Sequence, residues 1–83
     1  MLLGKVTGSV TATIKADRLS GLKLLVVEIT GGAGTPQVAP DTVGAGVGDT
    51  VLLAQGSAAR MAQGLSTAPV DLAIVGIVDS VNT

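Results

Sequence analysis

The sequence predicts an all-β domain, a small closed five-stranded barrel with one short helix between strands four and five. Three observations predict it. Residues 2–15 alternate apolar and polar with a period of two, the mark of a strand with one buried face. Lys23–Ile29, broken only by Glu28, and the middle of Val70–Val81, between Asp71 and Asp79, are apolar on both parities, as strands covered on two sides are. Glycine and proline punctuate the intervals, and only the stretch after Ser57 reads as a helical turn. Closure is favoured because it removes edges that such apolar strands would otherwise offer to aggregation.

In the first strand Leu2, Val6, Val10, Ala12 and Ile14 share one parity with Gly4 and Gly8. Lys5, Thr7, Ser9, Thr11, Thr13 and Lys15 take the other. So long a strand is expected to bend at Gly4 or Gly8 and serve two neighbours. Its hydroxyl-rich side reads as an ordinary solvated or interface face. Ala16–Gly21 is a loop closed by Gly21. Lys23–Ile29 forms the second strand, either central in a sheet or a barrel wall covered from outside by a partner. Glu28 reads as the partner of a nearby lysine or arginine, since an isolated carboxylate is a poor catalyst.

Three glycines and two prolines fall within Thr30–Pro40, which is therefore expected to be a mobile surface loop without regular structure. Asp41–Val43 begins a third strand that ends in the glycine run, and Asp49–Gln55 is a fourth. Ser57 is the expected N-cap of a short turn, Ala58–Ala62, with Gly64 at C′. Leu65–Pro69 is a second loop, where Pro69 bars a ladder hydrogen bond. Val70–Val81 is the last strand.

The totals bound the function. Eighty-three residues make one domain with a small core. A chain of this size buries only about 60–65% of its unfolded surface when it folds alone. Yet 47% of the residues are apolar and the mean hydropathy is +0.66, more apolar material than a small monomer easily hides. No apolar run approaches the roughly 18–20 residues of a membrane span. The start, Met1-Leu2-Leu3-Gly4-Lys5, lacks a signal-peptide pattern, so a cytoplasmic location is expected. The remaining outlet for the surplus is protein contact, above all self-association.

The net charge is −1 and there is no basic stripe to neutralise phosphates. There is no aromatic residue on which a base could stack. With neither cysteine nor histidine, disulfides, thiol chemistry and imidazole metal sites are excluded. The six acids are scattered, which disfavours a carboxylate cation site. No cofactor is expected, and the inventory is too thin for an enzyme.

Gly44-Ala45-Gly46-Val47-Gly48 is the most unusual stretch. Its spacing is not that of a dinucleotide fingerprint, and strand rather than helix follows it. It reads instead as a tight turn where backbone packs closely, with Gly46 expected to be crowded or at positive φ. Ser57 has no base beside it and reads as a cap rather than a nucleophile. Arg60 ends the helical turn, where the helix dipole favours a cation. It is a candidate partner for Asp49 or Asp71, in the same or a neighbouring subunit. Lys15 and Lys23 flank the first loop as solubility charges or, in a functional role, as interface or pore-facing charges. Gly44, Ala45, Gly46, Val47, Gly48, Asp49, Arg60 and Lys15 are thus the candidate subunit-contact or axis-proximal residues.

Five blocks stand in one order along the chain. They are Gly4-Lys5-Val6-x-Gly8-x-Val10 with Thr13-x-Lys15; Leu19-x-Gly21-x-Lys23-Leu24-Leu25; Asp41-x-Val43-Gly44-Ala45-Gly46-x-Gly48-Asp49-x-Val51; Gly56-Ser57-x-Ala59-Arg60; and Pro69-Val70-Asp71-x-Ala73-Ile74-Val75-Gly76-Ile77-Val78-Asp79. Together they resemble the EutN/CcmL family, vertex proteins of bacterial microcompartment shells, over essentially the whole chain. The resemblance implies an OB-like barrel and a structural role without a cofactor. It also implies a cyclic homopentamer capping the vertices of a cytoplasmic polyhedral shell, with hexameric or pseudohexameric shell proteins as further partners. A narrow central pore is a further implication. The uncharged, glycine-rich Thr30–Pro40 departs from the family pattern. The first strand, the glycine stretch and the final strand are the expected ring interface. The competing reading is an OB-like module that binds a ligand or nucleic acid, against which the missing aromatics and the charge both argue.

Overall fold

The computed structural model describes residues 1–11, 21–32, 34–61 and 70–82. Among them the elements are β1 (Leu2–Val10), β2 (Lys23–Ile29), β3 (Gln37–Asp41), β4 (Thr50–Gln55), α1 (Ser57–Arg60) and β5 (Leu72–Ile77). The strands close into a barrel in the order β1-β2-β3-β5-β4. Every pairing is antiparallel except β3 with β5, which meet in parallel at Asp41 and Ile74. All five strands feed one core, built on Val6, Leu25, Val27, Ala39, Val51, Leu53, Leu72 and Ile74. The expected fold class, with its helix between strands four and five, is the one observed.

β1 serves two neighbours, as its length requires. Gly4 pairs with Ile29 of β2 on one side and Val51 of β4 on the other. A Cβ on Gly4 would lie 2.9 Å from Leu53 Cδ1 and 3.0 Å from the Glu28 carbonyl oxygen, so only glycine fits. A bulge follows between Val6 and Gly8. It corrects the single buried parity expected for this strand. Directly paired residues share a face, and a one-residue insertion reverses which residues point inward. Val6 pairs with core residue Val27, whereas Gly8 pairs with Val26 and Val10 with Leu24, on the outside of the wall. The expected continuation of the strand through Ala12, Ile14 and Lys15 lies outside the described residues. Glu28 sits directly across from Lys5, both on the outer face.

The third strand is the main correction. Regular structure begins at Gln37, inside the segment expected to be a loop, and ends at Asp41, where the third strand was expected to begin. Pro40 is accommodated because β3 is bonded along its length only to β2 and meets β5 through Asp41 alone. The helix also starts differently. Gly56, at φ 58°, holds the N-cap position without any side-chain cap, and Ser57 is already the first helical residue. A chain turning sharply out of β4 needs the left-handed backbone more than it needs a hydroxyl. Ala59 then packs on Ala73, pinning α1 to the outside of β4 and β5. The last strand is shorter than expected at both ends. Gly64 and Leu65–Pro69 lie outside the described residues.

Candidate functional site

The glycine run lies on the segment between β3 and β4, and side chains flanking it dictate its shape. Asp41 ends β3 with its side chain only 2% exposed. Its two carboxylate oxygens accept hydrogen bonds from the Val43 N–H at 3.0 Å and the Gly44 N–H at 3.1 Å. This is an Asx turn, in which an aspartate satisfies backbone donors two and three residues ahead. Gly44 follows at φ 84° and Gly48 at φ 95°, the left-handed conformation that side chains resist. Between them the Gly46 N–H donates to Asp49 Oδ2 at 2.9 Å, and the Asp49 N–H returns a bond to the Gly46 carbonyl at 3.0 Å.

The loop is anchored to three strands at once. Lys23 of β2 donates to the Ala45 carbonyl at 2.6 Å and lies 3.5 Å from Asp41 Oδ2. Thr42 Oγ1 donates to the Ile74 carbonyl of β5 at 2.8 Å. The Gly48 N–H bonds the Val6 carbonyl of β1, whose N–H bonds the Asp49 carbonyl. Ala45 inserts into the core, fully buried. The outward product is a rigid ridge that displays Val43 and Val47, 41% and 69% exposed.

Gly44, Ala45, Gly46, Val47, Gly48 and Asp49 therefore form one unit, though not for the expected reason. Gly46 has no positive φ, and among the described residues no atom beyond its chain neighbours lies within 4 Å of where a Cβ would stand. Arg60 donates to the Val70 carbonyl at 3.1 Å, tying α1 toward β5, and within its own protomer makes no ion pair with Asp49 or Asp71. Lys15 lies outside the described residues. Sequence reasoning missed Asp41, Thr42 and Lys23 as the loop's anchors. An aspartate placed three residues before a glycine was the available signal for the first.

The arrangement offers little chemistry. Among the described residues no group of three or more acids could hold a metal ion. Among them, too, no helix is long and apolar enough to cross a membrane. A cleft of about 110 Å³ opens among Leu2, Ile29, Gln37, Gln55, Asp71 and Leu72. It is well below the roughly 300–1,000 Å³ of ordinary ligand pockets.

Residues 1–79 match the family model described as ethanolamine utilisation protein EutN/carboxysome. The chain is 46% identical to the carboxysome shell vertex protein CcmL of Synechocystis, over 99% of this chain and 86% of the relative. It is also 46% identical to the microcompartment shell vertex protein EutN of Escherichia coli, over 98% and 90%. Among solved structures, the GrpN pentameric microcompartment shell protein of Rhodospirillum rubrum superposes with a TM-score of 0.87 at 48% identity, covering 100% of this chain and 99% of that one. With its barrel and its glycine loop both accounted for, the chain belongs to the EutN/CcmL family.

Proposed function

We propose that this chain is a structural shell protein, a cyclic homopentamer that caps the vertices of a bacterial microcompartment alongside the other proteins of that shell. The observation that carries the reading is the near-complete match to a pentameric shell protein, 48% identical and equal in extent. The physics agrees with it. A heterologous ring contact gives the surplus apolar surface a place to go. The task set by a vertex is to hold an angle, which a closed barrel with a loop tied to three strands does without any reacting group.

In this reading Gly44–Asp49, with Arg60 and Lys15, lies at or near the subunit contact around the five-fold axis. The exposed Val43 and Val47 on a rigid ridge support that assignment, as does the open space at Gly46. Native mass spectrometry at micromolar concentration tests the ring. The expected species has five times the mass of the 8.1 kDa protomer, and a persistent monomer under gentle conditions would overturn the proposal.

A further inference from the structure

A five-membered ring cannot be built from contacts that pair a surface with itself, because such contacts stop at dimers. Each copy must offer one face forward and a different one backward. The outside of this barrel carries two apolar faces that meet the requirement. The first lies on β1, β2 and β3. Past the bulge, Gly8 stands beside Val26 and Val26 beside Val38, with Val10 and Leu24 forming the next row. Gly8 leaves the row low, with Val26 Cγ2 3.8 Å from where its Cβ would be, and Val38 is 51% exposed.

The second face lies on β1, β4 and β5. Leu3 stands beside Leu52 and Leu52 beside Gly76. Leu52 Cβ comes within 3.5 Å of the position a Gly76 Cβ would take, so this row is also low. Helix α1 packs on the neighbouring Ala54–Ala73 row through Ala59, while Leu3, Leu52 and Gly76 are half-buried among the described residues. Along β1 the two faces are separated by Lys5, which stands between Glu28 and Thr50. A charged divider keeps them two patches rather than one continuous band.

We propose that the β1–β2–β3 face of one copy seats on the β1–β4–β5 face of the next copy, and that this contact closes the ring. The inference rests on the pentamer reading above and adds to it which surfaces meet. It places the bulge after Val6 among the assembly determinants, since without it Val10 would turn inward.

The absence of cysteine gives a clean background for the test. Val38→Cys, Leu3→Cys and the double variant are purified, confirmed as pentamers by native mass spectrometry, and treated with a short bis-maleimide. The double variant is expected to yield a covalent ladder ending at five protomers, while each single variant stays uncrosslinked. A pentamer whose double variant gives no ladder, or a Val38→Cys variant that crosslinks to itself, overturns the face assignment but leaves the pentamer standing. A parent chain that is not pentameric removes both. As a second measurement, Val38→Asp is expected to convert the pentamer to monomer with the far-ultraviolet circular dichroism of the barrel intact. A Val38→Asp protein that remains fully pentameric also overturns the assignment.

Discussion

Asp41→Ala tests the loop most directly. The carboxylate is 2% exposed and accepts from Val43 N and Gly44 N, with Lys23 Nζ 3.5 Å away. A hydrogen bond to a charged group contributes about 1.5–3 kcal/mol, and the lower end applies here because Val43 and Gly44 are exposed and their donors can regain water. Two such bonds give about 3 kcal/mol. The Lys23 pair adds at most about 1 kcal/mol, since that side chain is 54% exposed. A loss of about 3–4 kcal/mol corresponds to a fall in Tm of roughly 15–25 °C for a domain of this size. Asp41→Asn keeps one acceptor oxygen, so about half that loss is expected. Thermal melts at one fixed protomer concentration are the assay, because assembly itself raises apparent stability. If Asp41→Ala melts within about 3 °C of the parent, the carboxylate does not hold the loop and the account of its rigidity fails.

Other positions give sharper contrasts. Gly4→Ala should destabilise by about 1–3 kcal/mol through overpacking against Leu53 and the Glu28 carbonyl, measured by urea unfolding. Leu53→Ala, which empties a fully buried site, should cost about 2–5 kcal/mol in the same experiment. Gly44→Ala and Gly48→Ala should each cost about 1–2 kcal/mol, because their φ values of 84° and 95° are strained for alanine. Gly46→Val should behave differently, leaving the protomer fold intact while weakening the pentamer on dilution; unchanged dissociation would remove Gly46 from the contact.

The strands were legible wherever burial repeated along the sequence. The apolar runs Leu24–Val27 and Val51–Ala54 announced β2 and β4, and within them Leu25, Val27, Val51 and Leu53 face the core. β3 was not legible. Its inward residue Ala39 is small, and its neighbours are a proline and an exposed valine, so no alternation rises above the turn chemistry of Pro36 and Pro40. Its strand state comes from the five-residue register with β2, a tertiary fact. The bulge at Thr7 was hidden for a related reason. A period of two reads the same before and after an insertion that reverses the face, and only the partners of Gly8 and Val10 reveal the reversal.

The glycines divide by cause in a way that sequence alone could not sort. Gly4 is required by packing, Gly44 and Gly48 by backbone conformation, and Gly8 and Gly76 flatten outer rows of the wall. Gly46 has no such cause among the described residues. Its N–H and carbonyl are both engaged by Asp49, and that turn would accept a side chain in the space available. A glycine in a rigid, exposed turn with open space around it makes sense where the space is filled by another chain. On the proposed reading, the stretch whose glycines superficially suggest a phosphate loop lies instead at the contact between copies. The ordinary fold rules are obeyed around Gly46 and relaxed at that one residue, as they are where function sets the choice.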